Sequence, residues 1–230
     1  MTTRKKYKIL IVDDEPSIRE LLEYNLRKAG YQTKCSYSGK DALSCVKSFA
    51  PDLILLDIMM PDMDGIEACR QIRTMKGTGN CHIIFLTARS EEYSEIAGFE
   101  AGGDDFIIKP IKPRALLSRL SALFRREESL EKESRVISFR DLVIDKESYT
   151  VLKNNERVVL TRKEFELLFF LSSHPYTVFN RDDLLRKVWG ENIYVVSRTV
   201  DVHVRKIREK IGEDYINTIK GIGYKFGGAG

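Results

Sequence analysis

The chain has 230 residues, of which 43% are hydrophobic and 31% are charged, and its formal net charge is +4. No apolar run approaches the roughly 18 residues that a membrane-spanning helix needs, and the first ten residues lack the apolar core of a signal peptide. The four cysteines show neither C-x-x-C spacing nor a paired framework. We therefore expect a globular cytoplasmic protein of one large or two small domains, with reduced thiols and no membrane contact.

Short apolar segments alternate with helical patterns in the first half of the chain. A helix is predicted from Pro16, with Gly30 at its end, and another from Pro113. Five strands and five helices in alternation predict a parallel sheet with helices on both faces. Ligands of such folds bind beyond the carboxyl ends of the strands. The predicted strands are Tyr7–Val12, Thr33–Ser36, Leu53–Leu56, Ile83–Leu86 and Phe106–Ile108.

Polar residues come directly after four of these strands. Taken singly, Asp13 and Asp14 would fit a helix N-cap, and Thr87 an ordinary strand end. Together they predict a crevice in which three carboxylates repel one another unless a cation joins them, and such hard oxygen ligands suit Mg²⁺. The residues in question are Asp13, Asp14 and Glu15 after the first strand, Asp57 after the third, Thr87 after the fourth and Lys109 after the fifth.

The segments ILIVDDE, LILLDIMMPDMDG, IIFLTA and GGDDFIIKP resemble the receiver domain of bacterial two-component response regulators. The resemblance covers about residues 7–124 and implies a flavodoxin-like (βα)5 fold with a five-stranded parallel sheet, in a domain of residues 1–124. It implies that Asp57 accepts a phosphoryl group from a sensor histidine kinase. It also implies that Asp14, Asp57 and the main-chain carbonyl of Met59 ligate Mg²⁺, while Asp13 holds a metal-bound water. A carboxylate can act as such a nucleophile.

The same resemblance implies a switch that reads out phosphorylation. Thr87 would hydrogen-bond the new phosphoryl group and move inward, leaving space for the aromatic side chain of Phe106, while Lys109 would supply positive charge to the phosphoryl oxygens. Because residue 106 is Phe, a readout through a phenolic hydroxyl is excluded. Lys109-Pro110 resembles the cis peptide of the family.

A charged stretch, RREESLEKES, separates the two halves. Its single apolar residue, Leu130, predicts a solvated helix end that continues into a linker over residues 125–134. Residues 135–230 follow as a second domain. They hold 17 Lys and Arg against 13 Asp and Glu, which favours a polyanionic partner.

The second domain begins with β-like segments and continues with helices. Thr161 is a predicted N-cap with Glu164 three residues later, as in a capping box. Asn180 caps a second helix that is predicted to extend through Trp189 and to end at Gly190. The β-like segments are Val136–Phe139, Leu142–Asp145, Tyr149–Lys153 and Val158–Leu160, with a turn at Asn154-Asn155.

The third helix, in SRTVDVHVRKIREKI, has an apolar stripe and a basic opposite face. Val200, Val204, Ile207 and Ile211 form the stripe. Alone, this helix would fit a solvated amphipathic helix. However, INTIKGIGYKF follows it and predicts a hairpin with Lys220 and Lys225 on or beside its turn. A basic helix followed by a basic hairpin predicts an α+β winged helix-turn-helix domain that binds DNA.

SRTVDVHVRKIREKI and IKGIGYKF closely resemble the effector domain of OmpR/PhoB-type regulators, over about residues 136–227. The resemblance implies transcription regulation at promoter DNA and a loop, Gly190–Val196, that can contact RNA polymerase; an ordinary interhelix loop is the alternative. The candidate DNA contacts are Arg198, Thr199, Val202, His203, Arg205, Lys206 and Arg208 on the helix, and Thr218, Lys220, Gly221 and Tyr224 on the hairpin.

Phosphorylated receivers of this subfamily pair through the fourth helix, fifth strand and fifth helix. The resemblance therefore implies a homodimer, which would hold two DNA-binding domains together. Two charged pairs fit the subfamily pattern, Asp105 with Arg119 and Asp104 with Arg126. A third pair is replaced by Glu95 and Ala115, which predicts a weaker dimer or a different contact.

Two alternatives remain open. A Mg²⁺-dependent phosphohydrolase would also pass through an aspartyl-phosphate, but Asp57 is followed by Ile58 and Met59 and so has no second carboxylate two residues later to serve as a general acid. We therefore expect a regulator and not an enzyme; many turnovers in a phosphatase assay would favour the enzyme. The other alternative is a regulator that binds DNA whatever the state of Asp57.

Overall fold

The computed structural model describes residues 6–75, 77–79, 81–88, 92–129, 136–190 and 198–227. For residues 92–96 and 125–129 it describes the main chain only. Its contacts divide the chain into two compact units after Leu123. Residues 125–129 continue a helix, in agreement with the helix end predicted at the beginning of the charged stretch 125–134. The predicted linker residues 130–134 lie outside the described part of the chain.

Strands and helices alternate through the N-terminal unit. The sheet order is β2-β1-β3-β4-β5 with every pair parallel. This is the flavodoxin-like order, which confirms the predicted fold. The elements are β1 (Lys8–Val12), α1 (Pro16–Lys28), β2 (Gln32–Ser36), α2 (Gly39–Phe49), β3 (Leu53–Asp57), α3 (Gly65–Thr74), β4 (His82–Thr87), α4 (Glu92–Ala101), β5 (Asp105–Ile108) and α5 (Pro113–Ser129).

The central strands of this sheet are buried along their whole length. Every residue of β3 and of β4 is buried, as expected for parallel strands covered on both faces. Both strands extend beyond the predicted segments, so Asp57 and Thr87 are the last residues of strands and not the first residues of loops. The rigidity of the sheet therefore extends to these two polar side chains.

The C-terminal unit contains two antiparallel sheets and three described helices. The β6-β7-β8-β9 sheet precedes the helices, and the second sheet has the order β10-β12-β11. A helix followed by the β11–β12 hairpin confirms the winged-helix prediction. The elements are β6 (Val136–Phe139), β7 (Leu142–Asp145), β8 (Thr150–Lys153), β9 (Glu156–Val158), α6 (Arg162–Ser172), β10 (Val178–Asn180), α7 (Arg181–Val188), α8 (Arg198–Ile211), β11 (Ile216–Ile219) and β12 (Gly223–Phe226).

Most of the local signals in this unit act as predicted. Thr161 and Glu164 form a capping box at the start of α6, and Asn180 caps α7. The four stripe residues of α8 (Val200, Val204, Ile207 and Ile211) are buried. The predicted bounds of the strand Val158–Leu160 were wrong. The tight turn at Asn154-Asn155 lets strand pairing resume at Glu156, opposite Lys153, so the strand begins two residues earlier. No helix among the described residues is long and apolar enough to cross a membrane.

Candidate functional site

Three carboxylates meet at the carboxyl end of the N-terminal sheet. One oxygen from each of Asp13, Asp14 and Asp57 lies within 4.8 Å of the others. Asp13 is 0% exposed and Asp57 is 3% exposed, whereas Asp14 is partly exposed. The predicted acidic pocket therefore forms, with one of its carboxylates open toward solvent.

Lys109 follows β5 and lies against this pocket. Its Nζ is 2.8 Å from Asp13 Oδ2, 3.0 Å from Asp57 Oδ1 and 3.7 Å from Glu15 Oε1. One ammonium group cannot balance the three clustered carboxylates. A divalent cation with oxygen ligands would balance the remaining charge, so the donor set fits Mg²⁺. The predicted ligand Met59 lies in the loop after β3, and the residue is 73% exposed.

The surroundings of Asp57 disfavour its charged form. Burial raises the pKa of Asp57 from 3.8 to about 6; the hydrogen bond and charge of Lys109 oppose this, and repulsion by Asp13 and Asp14 adds to it. Burial lowers the pKa of Lys109, but its hydrogen bonds to Asp13 and Asp57 outweigh that effect and raise it. The pocket therefore gains from any further cation beside Asp57.

Backbone contacts fix the position of Asp57. Ile58 N donates to Leu86 O and Gly65 N donates to Ile58 O, at 3.1 and 2.9 Å. A Cβ atom on Gly65 would lie 2.1 Å from the main-chain oxygen of Asp57. Only glycine allows α3 to begin this close to the end of β3. The PDMDG turn therefore brings the chain back beneath the phosphoacceptor candidate.

Arg19 is a residue of this site that the sequence analysis missed. Its Nη1 donates to the main-chain oxygen of Asp13 at 2.6 Å, and Glu15 N donates to Asp13 Oδ1 at 2.9 Å. Both contacts hold the turn that presents Asp13. The available signal was an arginine in the second turn of α1, the helix that begins directly after the acidic residues.

The two other switch candidates lie on neighbouring strands. Thr87 ends β4 and is buried. The ring of Phe106 is also buried, with its centroid 5.2 Å from that of Phe85 and 4.9 Å from that of Phe99. A Cβ on Gly98 would lie 2.5 Å from Phe106 Cζ, so α4 packs closely against the ring. Their roles in a switch remain predictions.

The charged pairs predicted for a dimer are occupied within one chain. Asp104 is buried and bonds to Arg73 of α3, whose Nη2 lies 2.7 Å from Asp104 Oδ2. Arg73 also donates to the main-chain oxygens of Thr78, Cys81 and Gly102. The side chain of Arg126 is outside the described part, so its predicted pairing with Asp104 stays a prediction. Asp105 and Arg119, the two residues of the other predicted pair, do form an ion pair. In this structure the pair forms within one chain.

The candidate DNA contacts in the C-terminal unit differ in exposure. Val202, Lys206 and Arg208 are half-buried, while Thr199, His203 and Tyr224 are buried. The predicted interface therefore separates into surface residues and residues that support them. The exposed members are Arg198 and Arg205 on α8, and Thr218, Lys220 and Gly221 on the β11–β12 hairpin.

Two helix candidates are placed in the interior. His203 is 2% exposed; its Nδ1 lies 2.9 Å from Thr199 O, and its ring packs edge-on against Trp189. A ring in this position cannot reach a base, so we correct that expectation. The hydroxyl of Thr199 is buried as well, which leaves only its main-chain N–H, near the start of α8, for a phosphate contact.

Two further candidates bind other parts of the unit. Arg208 donates twice to Ile216 O, at 3.0 and 2.7 Å, and once to Thr218 Oγ1 at 2.9 Å. Tyr224 is 5% exposed, and its hydroxyl donates to Asp201 at 2.6 Å. These contacts join α8 to the hairpin. The RNA polymerase loop that we predicted at Gly190–Val196 lies, apart from Gly190, outside the described residues.

Comparisons with known proteins agree with both halves of this description. Residues 9–121 match the response regulator receiver domain family, and residues 155–226 match the family of transcriptional regulatory proteins, C terminal.

Solved structures extend the match over nearly the whole chain. DrrB, an OmpR/PhoB homologue from Thermotoga maritima, is 35% identical; the match covers 97% of this chain and 100% of DrrB, with a TM-score of 0.51. A mutant of RitR is 30% identical over 97% of this chain and 100% of its own, with a TM-score of 0.76. The chain therefore belongs to the OmpR/PhoB-type response regulators, the DNA-binding regulators of two-component systems.

Proposed function

We propose that this regulator is switched by transfer of a phosphoryl group from a sensor histidine kinase to Asp57. The observation that carries the proposal is the convergence of Asp13, Asp14 and Asp57 within 4.8 Å, with Lys109 Nζ 3.0 Å from Asp57 Oδ1. Two acidic neighbours, a lysine and a rigid strand end are the groups that an aspartyl-phosphate site requires.

In the proposed transfer, a carboxylate oxygen of Asp57 attacks phosphorus and the bond from phosphorus to the kinase imidazole breaks. The phosphoryl group brings negative charge beside Lys109, whose ammonium group already contacts Asp57 and stabilises charge on the transferred oxygens. Arg19 and the main-chain N–H of Glu15 keep Asp13 oriented through their hydrogen bonds to it. The position of the nucleophile is set before the phosphodonor arrives, which lowers the entropic cost of the reaction.

Mg²⁺ is the cation that we propose for this pocket. Asp14, Asp57 and the main-chain carbonyl of Met59 would hold it, with Asp13 supporting a bound water. When bound, it neutralises the charge of the carboxylates and of the incoming phosphoryl oxygens. The candidate ligands are all oxygen donors, as Mg²⁺ prefers.

Phosphorylation would be read out through Thr87 and the ring of Phe106, and would lead to a homodimer through the receiver. Since Arg73 and Arg119 already pair with Asp104 and Asp105 within the chain, we expect the dimer to rearrange these pairs or to use other residues of the same face. Pairing would place two DNA-binding domains at one promoter and raise their effective concentration.

DNA binding is assigned to exposed and half-buried residues of α8 and to the exposed tip of the hairpin. Arg198, Arg205 and Lys206 would contact phosphates and bases from α8, beside Val202, which would meet an apolar base edge; Lys220 and Gly221 would reach the backbone from the hairpin tip. This set omits the ring of His203. Arg208 and Tyr224 would support the interface through their hydrogen bonds between α8 and the hairpin.

Light scattering tests the switch. Beryllofluoride with Mg²⁺ should shift the wild type toward a dimer and leave Asp57→Ala unchanged, while Glu20→Gln, an exposed carboxylate variant on α1, should respond as the wild type does. An equal response of wild type and Asp57→Ala would contradict the proposal. Selection of duplexes from a random pool by the wild type tests DNA binding, and recovery of no enriched sequence would count against promoter recognition.

A further inference from the structure

Three side chains from three different elements meet between α8 and the hairpin that follows it. Asp201 Oδ1 accepts hydrogen bonds from Arg181 Nε at 2.7 Å and from the Tyr224 hydroxyl at 2.6 Å. Arg181 Nη2 is also 3.4 Å from the Tyr224 oxygen. We call these three residues the helix–hairpin network. They join the start of α7, the first half of α8 and β12.

The hairpin strand that carries Tyr224 is held closely on its other side. β12 is the central strand of its sheet and pairs with β10 and β11. A Cβ on Gly223 would lie 2.0 Å from Phe179 O, so glycine is required for this approach of β12 to β10. The guanidinium carbons of Arg181 and Arg208 lie 5.1 and 5.7 Å from the Tyr224 ring centroid. Tyr224 therefore sits where the hairpin is attached to the helices.

Within the network, Tyr224 is the buried member, and its hydroxyl group is already engaged. The side chain is buried, its hydroxyl proton is directed to Asp201, and burial together with that carboxylate raises its pKa to about 12. At neutral pH the hydroxyl thus remains a donor to Asp201. By contrast, Arg205 on α8 and Lys220 at the hairpin tip are exposed.

We propose that Tyr224 and Asp201, with Arg181, are positioning residues that hold the hairpin at a fixed distance from α8, so that Lys220 and Arg205 meet DNA together. An interface held in its bound geometry avoids the cost of ordering the hairpin on binding. The inference rests on the DNA-binding function proposed above. It assigns Tyr224 an indirect role in place of the predicted contact with DNA.

Tyr224→Phe tests the proposal and has a matched control in the same unit. The variant keeps the ring and both cation–π contacts and removes only the hydroxyl. Tyr215→Phe removes a similarly buried hydroxyl that also donates to a carboxylate, that of Asp141, but one outside the network. On a duplex selected by the wild type, we expect Tyr224→Phe to weaken binding about tenfold, or about 1.4 kcal/mol, and Tyr215→Phe to bind as the wild type does.

The salt dependence of binding separates positioning from simple loss of stability. Lys220→Ala should reduce the slope of log K against log salt by about 1, since one phosphate contact is lost. Tyr224→Phe should reduce the slope similarly, and the double variant should bind little worse than either single variant, because both lose the same hairpin contact. If Tyr224→Phe does not fold, Asp201→Asn takes its place in the test, and we expect the same loss of affinity and of salt slope from it.

Two results would overturn the inference. One is wild-type affinity for Tyr224→Phe; the other is a full additive loss in the double variant, which would indicate a direct contact independent of Lys220. If the wild type selected no duplex and showed no salt-dependent binding, the DNA-binding proposal itself would fail and the inference would fail with it.

Discussion

Replacing Asp57 by Asn should stabilise the protein above pH 6, because burial penalises the charge of Asp57. A tenfold change in an ionisation equilibrium is worth about 1.4 kcal/mol. A pKa that rises from 3.8 to about 6 on folding therefore lowers stability by about 3 kcal/mol at pH 7.5. This shift already includes the opposing attraction of Lys109, which keeps its contact with Asp13 in the variant, so we expect Asp57→Asn to gain about 3 kcal/mol at most.

The sign of the pH dependence is fixed by the raised pKa. Below 3.8 the carboxyl group is protonated in both the folded and unfolded chain, and the penalty is absent; it grows between pH 3.8 and about 6 and is constant above that range. The gain from Asp57→Asn should accordingly be complete at about pH 7.5 and disappear below about pH 4. Mg²⁺ should raise the stability of the wild type at neutral pH and have less effect on the variant, since a ligand that binds only the folded chain stabilises it.

Urea unfolding followed by circular dichroism measures this difference, with Glu20→Gln as the control. The single tryptophan of the chain, Trp189, belongs to the C-terminal unit, so its fluorescence reports on the unfolding of that unit. Equal stability of wild type and Asp57→Asn at neutral pH, or a gain that increases on acidification, would refute the reasoning.

Three further substitutions test separate parts of the account. Arg73→Met should lower the free energy of unfolding by about 3–5 kcal/mol in urea titrations, because it removes the cation that balances the buried charge of Asp104; a loss below about 1 kcal/mol would contradict the importance of that pair. Gly65→Ala should slow labelling of Asp57 by acetyl phosphate and lower stability, since its Cβ would lie 2.1 Å from the Asp57 carbonyl oxygen; labelling at the wild-type rate would show that the loop adapts freely. Arg205→Ala should weaken DNA binding and reduce the salt slope by about 1, and an unchanged gel-shift midpoint at every salt concentration would remove Arg205 from the interface.

The sequence predicted the sheet and its acidic pocket because both depend on local signals. A run such as Leu53–Leu56 followed by Asp57 identifies a buried parallel strand with a polar end, and alternation with helices brings such ends together. Strand bounds were less accurate by one or two residues, since pairing with neighbours decides where a strand ends. The turn at Asn154-Asn155 shifted β9 in this way.

Contacts between distant residues could not be predicted from the same patterns. Arg73 and Asp104 are 31 residues apart. Nothing in the sequence around either residue indicates that an arginine of α3 pairs with the aspartate just before β5. His203 lies beside the basic face of α8 by helical periodicity, yet Trp189 covers it. The pattern gives the direction of a side chain from the helix axis, whereas burial depends on which neighbour packs there.

Incubation of the full chain with acetyl phosphate and Mg²⁺, followed by intact-mass spectrometry, tests the central claim most directly. The account predicts that the wild type gains the mass of one phosphoryl group, that Asp57→Ala gains none, and that omission of Mg²⁺ abolishes the gain. A wild type without added mass, or an equal gain in Asp57→Ala, would contradict the assignment of Asp57 as the phosphoacceptor.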